Sequence, residues 1–184
     1  MNYVELFNDL HPGFFCQESI LTMPEDWIFT ELVMNLRRDL PKVTPLQSLN
    51  GITFGEYRGE LAALRDAVRR VDQDWVQYFK EEGRFYCAFD RETIVAFCGL
   101  TDMGWFQGLH IGAPGCVGTI PEFRRQGIGL EMVRLATEVL RQDGFDLSWI
   151  HYTYLPQWYM KLGYQPVLRW NSSGILDDRE RRYL

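Results

Sequence analysis

The sequence predicts an α/β protein: a mixed, partly antiparallel central sheet flanked by helices, with an N-terminal extension. Three observations carry that prediction. Ile52 to Tyr57 alternates with period two, as a half-buried strand does. Phe85–Phe89 and Thr93–Leu100 are two strand-like runs joined by the polar turn Asp90-Arg91-Glu92, a hairpin pattern. Met132, Val133, Ala136, Val139 and Leu140 place one apolar stripe on a helix over Gly129–Gln142, with strand-like runs on both sides. The chain has 184 residues, and with 12 Phe, 9 Tyr and 6 Trp it has ample material for the core of one domain.

The first 50 residues read differently from the rest. His11-Pro12-Gly13, Met23-Pro24-Glu25-Asp26, Pro41 and Pro45 are turn or helix-start signals. Pro24 followed by two acids suits a helix start, and Ile28, Phe29, Leu32, Val33 and Leu36 then fall at helical spacing. A helix is expected there, although the stretch also alternates tolerably as a strand. Residues 1–50 are accordingly set apart as an extension of unknown role, and 51–184 as the main domain.

From Gly51 the elements follow in order. The first strand leads into a helix over Glu60–Arg70 with Leu61, Leu64 and Val68 on one face. Trp75, Val76 and Phe79 suggest a second helix. After the hairpin comes a stretch rich in glycine and aromatics, Asp102 to Pro114, expected as a loop. Cys116–Ile120 reads as a short strand before the long helix, which Gly144 should end. Asp146–Tyr152 is a strand, Pro156–Leu162 a short helix and Tyr164–Trp170 a last strand. Asp177 to Arg182 is balanced in charge and reads as a solvated tail or edge.

Composition excludes several function classes. With 25 acidic and 19 basic residues the net charge is −6, which disfavours a nucleic-acid binder. No apolar run approaches the roughly 20 residues a membrane helix needs, and the N-terminus does not read as a signal peptide, so a cytoplasmic protein with no membrane or nucleic-acid partner is expected. The 4 cysteines lack Cys-x-x-Cys spacing and the 3 histidines give no finger-like pattern, so no metal is expected.

The stretch that carries chemistry is Val117 to Leu130. It runs from a strand, through a turn opened by Pro121, into the long helix, with Arg124-x-x-Gly127-x-Gly129 at its centre. Glycines at a helix mouth let backbone approach a ligand, and the first helical N–H groups attract a phosphate-like anion. Arg124 and Arg125 add positive charge there. A dinucleotide fingerprint would need a third glycine where Met132 stands.

Pro121-Glu-Phe-Arg-Arg-Gln-Gly-Ile-Gly129 resembles the acetyl-CoA pyrophosphate loop of the GNAT superfamily of N-acetyltransferases, whose pattern is Gln/Arg-x-x-Gly-x-Gly/Ala. Downstream, Trp158 to Tyr164 resembles that superfamily's Tyr-x-Lys-x-Gly-Phe/Tyr block. The resemblance covers about residues 51–184. It implies a GNAT-like fold that transfers an acetyl group from acetyl-CoA, the co-substrate, to a primary amine by direct attack on the thioester. Val117, Gly118 and Thr119 would pair with the pantetheine arm. The amides of Arg124, Arg125, Gln126, Gly127, Ile128, Gly129 and Leu130 would hold the pyrophosphate. Tyr159 would protonate the departing thiolate.

Two departures stand out: positions often Asn and Ala in the family are Tyr152 and Leu155 here. Gly118 leaves its strand bare, which would widen the acceptor side. Asp72, Asp74, Trp75 and Tyr78 fall where the family walls its acceptor site, and an acidic, aromatic wall would suit a cationic amine as well as a plain helix cap. The general base is unassigned among Asp102, His110 and His151. The acceptor, a small molecule or a peptide, stays open, as does a homodimer. An alternative reading is a catalytically weak acetyl-CoA-binding sensor or interaction module on the same fold. Residues 1–50 carry seven acids against three bases, which would favour a cationic amine if they cover the acceptor cleft.

Overall fold

The computed structural model describes residues 1–38, 49 and 51–176. Pro41, Pro45 and the stretch Asp177 to Arg182 lie outside them. In chain order the elements are α1 (Tyr3–Leu10), α2 (Glu18–Leu21), β1 (Phe29–Asn35), β2 (Ile52–Glu56), α3 (Leu61–Arg69), β3 (Arg84–Asp90), β4 (Thr93–Phe106), β5 (Leu109–Thr119), α4 (Ile128–Gln142), β6 (Leu147–Thr153), α5 (Pro156–Met160), β7 (Gln165–Asn171) and β8 (Gly174–Ile175). Short 3-10 turns lie at Phe14–Cys16, Asp74–Tyr78 and Pro121–Phe123. The strands form one eight-stranded sheet in the order β2-β3-β4-β5-β6-β1-β7-β8. All neighbours run antiparallel except β5 and β6, which are parallel. Among the described residues no helix is long and apolar enough to cross a membrane.

Helical spacing around residues 28–36 misleads: this stretch is β1. It sits between β6 and β7, pairs antiparallel with both, and is buried from Phe29 to Met34. A strand covered on both faces needs no polar side, so its sequence is a near-continuous apolar run that periodicity cannot tell from a buried helix. Residue 50 is therefore not a boundary between two packed units. Part of the expected extension lies inside the sheet.

The expected loop over 102–114 is instead the end of a long β4–β5 hairpin. Its turn is Gln107-Gly108, both with positive φ (50° and 76°), the twist that two-residue hairpins favour. Gly112 marks crowding rather than looseness, since a Cβ there would lie 2.9 Å from the Phe145 ring, whereas Gly104 and Gly108 hold positive φ in open space. The expected second helix is the 3-10 turn at Asp74–Tyr78. The stop signal of α4 behaves as the sequence predicts. Gly144 is left-handed (φ 87°), its N–H donates to Arg141, and Phe145 N–H reaches back to Leu140, a Schellman pair.

Period two divides the core into layers. On one face Leu32, Met34, Ile150 and Tyr164 meet Met132, Val133, Ala136 and Leu140 of α4. The opposite face has two separate covers. Leu6, Phe7, Phe14 and Ile20 pack on Phe29, Val33, Trp149 and Trp170. Leu64, Val68 and Phe79 pack on Phe85, Cys87 and Phe97. Ile111 and Leu147, where β5 meets β6, lie under the first cover, and the second packs farther along, against Phe97 and Ile120.

Candidate active site

The site begins where two parallel strands part. β5 and β6 pair only at Ile111–Leu147 and Gly112–Ser148. Beyond Gly112 the β6-facing edge of β5 has no strand partner among the described residues, while its other edge stays paired to β4. Counted on from those pairs, Gly115 and Cys116 lie level with His151 and Tyr152 across the opening. Both strands are irregular there. Cys116 (φ 47°) sits in a bulge against β4, and Tyr152 (φ 59°) next to a register shift against β1.

Val117, Gly118 and Thr119 line the free edge of β5. Gly118 does not widen the acceptor side as expected: a Cβ there would run into the ring of Phe97, which is fully buried. Its bareness makes room for the core. The chain then turns through Pro121–Phe123 and enters α4 with Arg125 and Gly127 both left-handed (φ 62° and 81°). Backbone N–H groups from Arg125 through Leu130 donate to no acceptor among the described residues; Glu131 makes the first helical bond, to Gly127. Gly129 lets α4 sit close, because its Cβ would be 2.6 Å from Thr119 Oγ1. Arg124 donates through Nε to the Thr119 carbonyl (2.9 Å), and Gln126 through its amide to the Glu122 carbonyl (3.3 Å). Glu122 pairs with Arg70 at 3.0 Å, which ties the loop to the end of α3. The loop is thus braced by side chains while its amides and the dipole of α4 stay open to an anion.

Tyr159 enters from the α4 side. It is 8% exposed, on α5, and its hydroxyl makes no hydrogen bond among the described residues. Burial, aided by nearby Tyr164, Cys98, Cys116 and Tyr154, pushes its pKa well up, so it stays a protonated donor. Tyr164 behaves differently: its hydroxyl is held by Ser148 (2.7 Å) and Thr137 (2.8 Å). Burial pushes the Cys116 thiol up to about 11, with Asp72 adding to it, so Cys116 is a neutral thiol rather than a nucleophile. Lys161 is exposed.

Of the expected acceptor wall, Asp72 reaches the charge environment of Cys116 and Tyr78 that of Tyr152. Asp72 also accepts the Asp74 N–H at 2.9 Å. Trp75 packs into the cover over Phe97 instead. Asp102 and His110 pair with each other at 2.9 Å near the closed end of the hairpin, before the strands part, so neither reaches the opening. Leu155 caps α5 and is exposed.

The sequence reading missed Glu31 and His11. Glu31, on β1, is fully buried on the face opposite α4. It accepts N–H bonds from Trp149 (2.8 Å), Trp170 (2.7 Å), the Tyr152 backbone (3.0 Å) and His151 Nδ1 (2.9 Å). His11 stacks on His151 with ring centroids 3.9 Å apart and planes 16° apart, and its Nε2 is buried without a partner. Burial, reinforced by His151, lowers the His11 pKa to about 4. The only available signal was a single acid in the apolar run from Phe29 to Met34. The donor atoms of His11, Glu31 and His151 all lie within 4.8 Å of one another, close enough to consider a metal. The geometry does not fit one. A metal lies in the plane of each ligating imidazole, which stacked parallel rings cannot share, and both Glu31 oxygens already accept hydrogen bonds.

Comparison with known proteins agrees with this architecture. The sequence matches the Acetyltransferase (GNAT) family over residues 48–164. Comparison with curated proteins finds no match. Among solved structures, the GCN5-related glucosamine N-acetyltransferase region of a fungal multi-domain GH3 β-N-acetylglucosaminidase superposes with a TM-score of 0.67 at 19% identity, covering 79% of this chain and 20% of that one. A GCN5-related N-acetyltransferase from Kribbella flavida gives 0.53 at 20% identity, with coverage of 77% and 55%. A transcriptional regulator from Bacillus halodurans C-125 gives 0.53 at 20% identity, with coverage of 62% and 93%. The chain therefore spans 20% of the first and 55% of the second, and these likenesses concern the fold. With the family matched over most of its length, the chain belongs to the GNAT acetyltransferase family.

Proposed function

We propose that the protein is an acetyl-CoA-dependent N-acetyltransferase acting on a primary amine by direct transfer. The observation that carries this reading is the parting of β5 and β6, with a ring of unused donors around it. The free edge of β5 at Val117–Thr119 can pair with an extended pantetheine arm. The unpartnered amides from Arg125 to Leu130 fit a pyrophosphate, and Gly127 and Gly129 hold them there by conformation and close approach.

The two faces of the opening divide the work. Tyr159 comes from the α4 side, where a buried neutral phenol can donate to a leaving thiolate. The acceptor enters from the opposite face, between the two covers, past Asp72 and Tyr78. Their charge and ring faces suit an ammonium group. A backbone N–H at the Cys116 bulge can stabilise the oxyanion that develops on the attacked carbonyl. An intracellular, cytoplasmic setting would supply acetyl-CoA.

Calorimetric titration with acetyl-CoA, followed by thiol release against a panel of primary amines, tests the reading. Binding with amine-dependent thiol release is expected. Absence of binding at about millimolar acetyl-CoA overturns it, since that concentration detects even an interaction of about 4 kcal/mol.

A further inference from the structure

We propose that His151 is the general base that takes the proton from the acceptor amine, and that Glu31 is the positioning residue that fixes its tautomer. This rests on the acetyl-transfer reading above. An amine with an ordinary pKa arrives as an ammonium ion, and it cannot attack a carbonyl until that proton has gone.

Hydrogen-bond chemistry fixes the tautomer of His151. An ionised carboxylate only accepts, so the nitrogen facing it must carry the hydrogen. His151 Nδ1 lies 3.0 and 2.9 Å from the two Glu31 oxygens, and is therefore Nδ1–H. In the neutral ring Nε2 is then a bare lone pair. Glu31 cannot turn away, because the indoles of Trp149 and Trp170 and the Tyr152 N–H hold it from other directions. His11 stacks on one face of the His151 ring and Phe14 meets it edge-on with centroids 5.1 Å apart, which fixes its plane.

Position and charge point the same way. His151 is level with Gly115 and Cys116 at the parting of the strands, and its side chain is 25% exposed while Glu31 is at 0%. The titratable groups facing His151 are Glu31 from β1, His11 from the end of α1 and Tyr152 beside it. His11 Nε2 is buried without a hydrogen-bond partner, whereas His151 is bonded to Glu31, so of the stacked pair His151 is the one whose protonated ring is hydrogen-bonded to the carboxylate.

The ammonium gives one proton to His151 Nε2, directly or through one water. The freed nitrogen lone pair forms the C–N bond and the thioester C–S bond breaks. Tyr159 gives its proton to the departing thiolate and regains one from the nitrogen as the amide forms. His151 returns its proton to solvent.

The test uses the purified full chain. Acetyl-CoA affinity is measured by calorimetry. Thiol release from acetyl-CoA is measured against pH with the fastest amine of a panel, or with water as acceptor if no amine exceeds it. His151→Gln should leave acetyl-CoA affinity within about threefold, lower kcat/KM by about 10²–10⁴-fold at neutral pH, and replace the plateau above the acid limb by a rate that keeps rising with pH as free amine forms. An unchanged rate and an unchanged plateau would overturn the proposal. So would loss of the plateau in Asp72→Asn and not in His151→Gln. A readout independent of any variant is the imidazole ¹⁵N spectrum of the wild type, where neutral His151 should show Nδ1 protonated and Nε2 bare; the opposite tautomer overturns the role of Glu31. Failure of the wild type to bind acetyl-CoA would instead remove the acetyl-transfer reading, and this role with it.

Discussion

Replacing His11 by Phe isolates the contribution of one buried ring to the pH dependence of folding. The His11 pKa falls from 6.5 to about 4 in the folded protein, chiefly through burial and then through His151. For a histidine with a lowered folded pKa the sign is fixed. Above the unfolded value the ring is neutral in both states and contributes no slope. As pH falls below it the unfolded chain takes up a proton that the folded chain refuses, so stability drops until the folded pKa is reached. Linkage with these two values gives a loss of about 2 kcal/mol between about pH 7.5 and pH 5. Allowing for the part of the ring that solvent reaches reduces this to about 1–1.5 kcal/mol. Phe keeps the stacking surface toward Phe7, Phe14 and His151 and removes the orphaned Nε2, whose desolvation costs about 1–3 kcal/mol. Urea unfolding at both pH values checks it. The wild type should lose about 1–1.5 kcal/mol more than His11→Phe on acidification. Equal losses would refute the assignment of a neutral, buried His11.

Other perturbations probe the proposed binding and chemistry directly. Gly127→Glu should abolish acetyl-CoA binding in calorimetry, because it puts a side chain at φ 81° and a negative charge beside the open amides. Tyr159→Phe should lower thiol release by about 10²-fold or more while acetyl-CoA affinity stays put; unchanged turnover would remove the general-acid role. Gly129→Ala should cost about 1–3 kcal/mol in urea unfolding, since its Cβ would stand 2.6 Å from Thr119 Oγ1. Adding Thr119→Ala should restore part of that loss, and purely additive effects would show that the contact is not the cause.

What could be read from the sequence was what local physics decides. The helix over 128–142 announced itself by its stripe and its terminal glycine, and the Gly-x-Gly mouth by a left-handed conformation at Gly127 and a close approach at Gly129. β1 was hidden because its partners lie more than a hundred residues away, at 147–153 and 165–171, and cover both of its faces. The hairpin end was hidden for the opposite reason. Gly104 and Gly108 do hold turn-type positive φ, but Gly112, which reads as a loop signal too, is there because Phe145 occupies the space a Cβ would take. Of the candidate site, the loop and Tyr159 were legible as motifs. Glu31 was not, because a buried carboxylate has meaning only through donors from Trp149, His151 and Trp170, which the linear sequence does not juxtapose.

The opening between β5 and β6 is held from the side away from the cleft. β6 pairs with β1 from Leu147 to Thr153, and β1 pairs in turn with β7, so the outer half of the sheet is complete without further bonds to β5. β5 is likewise complete toward β4. On the face opposite α4 one cover packs across Ile111 and Leu147 at the closed end and another packs on Phe85 and Phe97 beside the gap, so closing it would have to displace packed aromatics. Unpaired backbone facing a partly buried gap is unfavourable unless water or a ligand satisfies it. An extended amide-bearing chain is suited to that edge, because it offers the donors and acceptors of a strand without closing the far end. The same β1 that completes the outer half carries Glu31 to His151. The N-terminal segment, set apart by its sequence, thereby both maintains the gap and orients the imidazole proposed to work in it.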